Sequence, residues 1–320
     1  MTSASATWVL TDGAAGNEKQ ALALARALGR TPETMRLAPR APWRWFAPRW
    51  LPSASAALGV ELAAPWPELA IGCGRQGALA LRWLERASAG RCKTVQILDP
   101  RIDPAHFDLI VTPAHDALRG ANVLVTHGAL NDIDAAFLAR ARAEWEPLGA
   151  LPAPRTALLL GGPNSALALN EDYWRGLALK LGQWLQRDGG SLLVTSLRRT
   201  PDWLRAAVRA EFSAVPGLQW HDPADGPNPY DGFLAWADRI VVTPDSANLL
   251  SEACATTAPV LCHFEQPLRG KLAHLYRDLL EAGRVRPMKL EYTAWDATPL
   301  RELTTVAAQV RERLKLDARP

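Results

Sequence analysis

Glu252 is a single carboxylate inside the run DSANLLSEACATTAPVL (residues 245–261), among Leu249, Leu250, Ala253 and Ala255. A solvated helix face is the plain reading of such an acid, and a ligand contact is its rival. Glycine turns supply the other candidate chemistry. TDGAAGNEKQA (11–21) carries Gly13 and Gly16, and GGPNSA (161–166) carries Gly161 and Gly162, each between a strand-like and a helix-like run. Glycine there lets backbone N–H groups approach an anion, and the helix N-terminus adds partial positive charge. A turn that merely needs positive φ is the alternative.

GCGRQG (72–77) fits G-x-G-x-x-G through Gly72, Gly74 and Gly77, follows a strand-like run, and is followed by Asp99 at the end of the next one. That spacing suits an acid on a dinucleotide ribose, although the motif stands at an internal strand, whereas dinucleotide folds use the first βα turn. Asp132 and Asp134 spell D-x-D, the pattern of metal-dependent glycosyl transfer, at a place where acids would equally complement a helix start. The six histidines show no H-x-x-x-H or H-E-x-x-H spacing, so no metal site is readable and no cofactor is called for. G-x-S-x-G is absent, and Tyr173 is followed four residues on by Leu177 where short-chain dehydrogenase chemistry would want Lys. APWRWFAPRWLP (41–52) interleaves Trp and Arg with Pro; packed, it is an amphipathic connector, and exposed, it suits a bilayer interface. The connector is the favoured reading.

These residues need elements to hold them. Strand-like runs at 6–11, 68–73, 92–98, 107–113 and 122–128 alternate with helical runs, a helix near 132–145 closing this half. The pattern restarts with strands at 156–162, 191–196, 239–243 and 259–264, with helices near 171–187 and from about 201. Near-continuous Leu, Val and Ile in the strands is what a parallel sheet buried on both faces requires. The chain therefore reads as α/β, with two Rossmann-like domains and a cleft between them. EPLGALPAPRT (146–156) is the linker candidate, dividing residues 1–150 from 151–320, and a final helix near 299–315 could pack on either domain.

With 320 residues, 48% hydrophobic, 22% charged and a net charge of +3, the composition is globular. No basic stripe with interleaved aromatics suggests nucleic acid. The four cysteines form no C-x-x-C pair, which fits a reducing cytoplasm. Residues 1–13 lack a signal peptide's basic and apolar regions and read as a ragged start into a strand. No run approaches the ~18–20 apolar residues of a membrane span. The expected location is cytoplasmic, with peripheral contact at the inner membrane left open.

TDGAAGNEKQALALARALG, VQILDPR, LRGANVLVTHGALN, LLLGGPNSA, VTSLRRTP and NPYDGFLAWADRIVVTPDSANLLSEA together resemble the "elongated mitochondria" fission-protein family, in matching order over about residues 8–265. Its bacterial members are regarded as glycosyltransferases of the GT-B fold. The chain is more distantly similar to the N-acetylglucosaminyltransferase that completes lipid II, through GGPNSA and DSANLLSEACATTAPVL. The resemblance implies two Rossmann-like domains facing each other across a cleft, a nucleotide-sugar donor (UDP-linked foremost), and a saccharide or lipid-linked acceptor. Carried over by position, Glu252 would accept hydrogen bonds from ribose hydroxyls. Gly161, Gly162 and Asn164 would line the phosphate side, and Asp245, Ser246 and Ala247 would sit at a helix N-terminus beneath the diphosphate.

The first-domain loop, Gly13, Gly16 and Asn17, resembles the lipid II enzyme's acceptor-side loop with a departure: Asn17 and Glu18 stand where that enzyme has a basic, titratable residue. Asn cannot act as a base, so Asp12, then His127, are the candidates to take a hydroxyl proton, an Asx turn being the other reading of Asp12. Arg198 and Arg199 could neutralise a diphosphate, and Arg75, beside Gly74, an anionic acceptor. Two alternatives stay open: a non-catalytic recruitment protein on the same scaffold, and an NAD(P)-dependent sugar-nucleotide oxidoreductase or epimerase using Gly72, Gly74 and Gly77.

Overall fold

The computed structural model describes residues 6–316. The ragged start read in residues 1–5 lies outside the described residues. The described chain runs as β1 (Thr7–Thr11), α1 (Ala15–Ala27), β2 (Glu33–Arg36), the single turn α2 (Trp43–Phe46), β3 (Leu69–Cys73), α3 (Gly74–Ala87), β4 (Lys93–Ile97), β5 (Leu109–Pro113) and β6 (Val123–Thr126). It continues as α4 (Ala135–Glu144), β7 (Arg155–Leu160), α5 (Glu171–Asp188), β8 (Ser191–Ser196), α6 (Asp202–Glu211), β9 (Gly217–Trp220), α7 (Tyr230–Trp236) and β10 (Arg239–Val242). The last elements are α8 (Ala247–Cys254), β11 (Val260–Cys262), α9 (Gly270–Glu281), β12 (Val285–Pro287) and α10 (Leu303–Leu314).

Two compact units result, one holding the chain up to Asp132 together with the segment from Glu302, the other holding Ile133–Arg301. The first unit's sheet has the order β2-β1-β3-β4-β5-β6 and the second unit's β12-β11-β10-β7-β8-β9. Every recorded strand pair is parallel. Both sheets are covered on both faces, which explains their unbroken apolar runs. In β7, Ala157 and Leu159 join one core, while Leu158 and Leu160 join the core on the opposite face. In β1, Val9 points into one core and Trp8 and Leu10 into the other, following the period of two.

The division between units is not at residue 150. Ile133, Leu138, Ala141 and Leu148 share a core with Ala157 and Phe233, and a Cβ on Gly149 would lie 2.6 Å from the Trp236 ring. The Pro- and Ala-rich stretch read as a linker is thus packed, its start forming a 3-10 turn over Glu146–Ala150. Val306, Ala307, Val310 and Leu314 of α10 are buried against Ala21 and Leu24 of α1. Among the described residues no helix is long and apolar enough to cross a membrane.

Helix starts follow from side-chain caps. Asp134 accepts from the Phe137 N–H at 2.7 Å and Asn170 from the Tyr173 N–H at 3.0 Å. The D-x-D pair is accordingly a cap plus a loose ion pair, Asp132 standing 3.8 Å from Arg26.

Candidate functional site

In the second unit the strand order reverses between β7 and β10. The helix after β7 packs on one face of the sheet and the helix after β10 on the other, as Tyr173 and Leu249 show by their separate cores. Chains that part in this way leave a crevice at the carboxyl ends of the two strands, the usual ligand position in an open α/β sheet. Gly161, Gly162 and Asn164 follow β7, Asp245, Ser246 and Ala247 follow β10, and Arg198 and Arg199 follow the neighbouring β8.

Asp245 ties these loops together. Its carboxylate accepts from the Gly162 N–H at 2.9 Å and the Thr243 hydroxyl at 2.6 Å, and pairs with the Arg199 guanidinium. Its carbonyl accepts from the Asn164 amide at 2.8 Å, while the Asn164 side-chain oxygen accepts from the Ala166 and Leu167 N–H groups at 2.8 and 3.0 Å. The Thr243 hydroxyl in turn accepts from the Gly161 N–H at 2.7 Å. Burial pushes the Asp245 carboxyl above its usual range, opposed by the Thr243, Gly162 and Arg199 donors.

This revises the expectation for two residues. Asp245 is an internal strut, because its oxygens are enclosed by groups that fold the loop. Arg199 is held by that strut yet its side chain stays partly open to solvent, and its neighbour Arg198 is exposed beside it. Glycine at 161 is required by close approach: a Cβ there would lie 2.1 Å from both Asp245 oxygens. At 162 it would lie 2.4 Å from the Arg199 carbonyl oxygen.

Ser246 caps α8, accepting from the Leu249 N–H at 3.4 Å, so the first turn of this helix opens on the crevice. Glu252 sits five residues after Ala247, about 7.5 Å along the axis at ~1.5 Å per residue. It is 9% exposed and its Oε2 accepts from the Tyr230 hydroxyl. The solvated-face reading is excluded by this burial. Burial first, then the adjacent Glu252 charge, hold the Tyr230 phenol well above its usual range, so it remains a donor. A carboxylate offers about four acceptor positions, and the phenol fixes the orientation of this one.

A cavity of about 670 Å³ begins at the same loop, lined by Asn164, Tyr173, Gly176, Glu265, Gln266 and Arg269 among others. Beneath it His263 is fully buried, with Nδ1 2.9 Å from Lys180 Nζ. Its Nε2 is 2.9 Å from Glu265 Oε1 but out of line for a hydrogen bond. Burial, then the Lys180 charge, lower the imidazole to about 4, so the ring is neutral near pH 7.

In the first unit, the Asp12 carboxylate accepts from the Ala14 N–H and the Asn17 amide, both at 3.1 Å, which is the Asx turn. Gly13 supplies positive φ at that turn, whereas Gly16 lies inside α1. Glu18 is occupied by Arg36 through two bonds of 2.9 and 2.8 Å. His127 follows β6, where its N–H and Nδ1 both lie 3.0 Å from Glu302 Oε1. Three strands separate β1 from β6, so Asp12 and His127 stand at strand ends roughly 19 Å apart, from four spacings of ~4.8 Å. They do not form one proton-transfer pair.

The G-x-G-x-x-G glycines pack α3 against the sheet. A Cβ on Gly77 would lie 2.8 Å from the Leu10 carbonyl oxygen, and one on Gly72 2.7 Å from Leu81. Gly74 has φ +74° and borders the Asn17 amide. Arg75 is engaged in holding a loop: its guanidinium donates to the Ala47 carbonyl at 2.9 and 2.7 Å and to the Trp45 carbonyl at 3.2 Å.

The sequence pattern described as Mitochondrial fission ELM1 matches residues 15–314, nearly the whole chain. The chain belongs to this mitochondrial fission ELM1 family. It is 30% identical to the mitochondrial fission protein ELM1 of Arabidopsis thaliana over 276 residues, 78% of this chain and 64% of that protein. The chain thus spans less than two thirds of that relative's length. Among solved structures it is similar to the UDP-GlcNAc 2-epimerase of Methanocaldococcus jannaschii, with a TM-score of 0.52 and 11% identity over 98% of this chain and 93% of that one. The UDP-GlcNAc 2-epimerase of Neisseria meningitidis, solved bound to UDP-GlcNAc, matches with a TM-score of 0.50 and 10% identity over 96% and 99%. At such identity the likeness is one of fold. This family member has the GT-B-like α/β architecture of two Rossmann-like units.

Sequence reasoning missed Tyr230, Thr243, Glu265 and Gln266 in this ELM1-family chain. Thr243 was within reach, as the first residue past a strand bordering a switch point. Glu265 and Gln266 follow β11 and open on the same edge by the same rule. Tyr230 is 22 positions from Glu252 along the chain, and no periodicity links two helices.

Proposed function

We propose that the second unit binds a nucleoside diphosphate-sugar, UDP-linked foremost, and that the protein transfers the sugar to a hydroxyl acceptor without a metal ion. The observation that carries this reading is the placement of buried Glu252 within α8, whose N-terminus opens on the crevice between β7 and β10. A diphosphate at that N-terminus meets the helix dipole and Arg198, and the glycine loop brings backbone close to it. Glu252, deeper along the helix and oriented by Tyr230, accepts from the ribose diol. The polar cavity beside Asn164, with Glu265 and Gln266 on its wall, receives the sugar. Leaving-group charge is then stabilised by preorganised dipoles and a guanidinium. A fold-mate solved with UDP-GlcNAc carries a ligand of the proposed class.

Thermal unfolding with and without UDP tests the reading. UDP should raise Tm, and Glu252→Ala should remove the shift while leaving the apo protein folded. No shift with UDP or other nucleoside diphosphates would sink it.

One observation favours binding without turnover. Asp12 is engaged in its turn, and His127 lies at the far edge of the same sheet beside Glu302, so the two proton-acceptor candidates do not act together. In this second reading the protein is a recruitment platform that holds the nucleotide. Release of UDP from a UDP-sugar separates the two: turnover means transferase, tight binding without release means platform.

A further inference from the structure

Residues 41–52 of the first unit pack along one side, as a connector would, but leave three aromatic side chains outside. Trp45, Phe46 and Trp50 are 64%, 51% and 53% exposed, three large apolar side chains within six positions. The Phe46 and Trp50 rings meet edge to face at 5.6 Å. Exposed aromatic clusters of this kind mark interaction surfaces.

The backbone carrying them is fixed. Ala47 is buried and Trp43 packs partly into the core that holds Leu58 and Leu84. Two arginines of α3 clamp the segment from below, Arg75 on the Trp45 and Ala47 carbonyls and Arg82 on those of Pro48 and Arg49. A guanidinium spent on two or three carbonyls is a costly way to hold a surface loop, and here it sets three rings outward.

The segment that carries the rings has charge of one sign. Arg40, Arg44 and Arg49 are exposed, and no acidic residue occurs between Glu33 and Glu61. Arg49 reaches the carbonyl of Arg101, another exposed arginine. Near Arg101 the Asp99 carboxylate accepts from the Arg101 N–H and that of Asp103 from the Ala105 N–H, so the basic excess is that of residues 40–49 themselves.

We propose that this surface docks on an anionic lipid bilayer. Tryptophan rings settle at the headgroup level, where one edge is apolar and the other wet, and arginines pair with lipid phosphates. Basic groups flanking an apolar insertion gain further attraction from a negatively charged leaflet. The surface lies wholly in the first unit and does not depend on the donor reading above.

Co-sedimentation with phosphatidylcholine vesicles, with and without phosphatidylglycerol, tests the proposal. The full chain should pellet with vesicles containing phosphatidylglycerol, remain in solution with phosphatidylcholine alone, and release as salt rises. Trp45→Ser, Phe46→Ser and Trp50→Ser combined should lower the apparent affinity roughly tenfold or more. Arg40→Glu with Arg44→Glu should weaken binding comparably, and both variants should keep the parent Tm because the replaced side chains face solvent. Undiminished pelleting of the aromatic variant, or no pelleting of the parent with phosphatidylglycerol, overturns the proposal. A dimer abolished by the aromatic substitutions, in a protein that ignores vesicles, would assign the surface to a second copy of the chain instead.

Discussion

The Gly162 N–H donates to the Asp245 carboxylate at 2.9 Å, joining the loop after β7 to the loop after β10 at the point where the sheet order reverses. With Thr243 bound to the same carboxylate and to the Gly161 N–H, the crevice floor is a closed set of hydrogen bonds. Such a floor is rigid before any ligand arrives, which favours binding by sparing the entropy of ordering it.

Gly161→Ala should disturb that floor. The added Cβ would fall 2.1 Å from both Asp245 oxygens, and the carboxylate cannot turn away without giving up Thr243, Gly162 or Arg199. A loss of about 1–3 kcal/mol in urea unfolding is expected, together with loss of the UDP-induced rise in Tm. Unchanged stability would mean that the loop shifts freely.

Tyr230→Phe removes a donor from a buried carboxylate. Stability should fall by about 1–3 kcal/mol, and UDP should bind several-fold more weakly because Glu252 loses its orientation. Titration calorimetry separates the two effects: weakened stability with unchanged UDP affinity would make Tyr230 structural only.

Acid should weaken the fold in a defined window. His221 and His263 are both lowered from an ordinary 6.5 to about 4, by burial foremost, then by Arg209 and by Lys180 respectively. Below pH 6.5 the unfolded chain takes up protons that the folded chain refuses until about pH 4. Their contribution is therefore complete above 6.5 and is lost as pH falls towards about 4, on the order of 3 kcal/mol for His221 alone. His221→Gln should flatten the profile of Tm against pH over that interval; an unaltered slope would mean that its ring titrates normally.

Much of the architecture was legible because it rests on local pattern. β7 and β10 end in apolar runs, Ala157–Leu160 and Ile240–Val242, since both faces of the sheet are covered, and residues 74–87 show the helical stripe that Leu81 and Leu84 bury. The edge strands β2 and β9, with no buried residue in either, carry no such signal and went unread. The unit boundary was misplaced for a related reason. Pro152 and Pro154 read as punctuation, yet Leu148 beside them is core, in a cluster that reaches Phe233, 85 positions away.

The candidate site divides in the same way. The chain's own order of residues determined two parallel α/β units, glycine turns after the first strand of each, and an acid one and a half turns into α8, because each depends on spacing within one element or its next neighbour. Tertiary structure alone decided that Asp245 is a strut, that Arg75 clamps a loop, that Asp12 and His127 stand apart, and that Glu252 faces Tyr230. Those outcomes depend on which strands become neighbours and what encloses a charge, and hydrogen bonds formed across a sheet leave no periodic trace in the sequence.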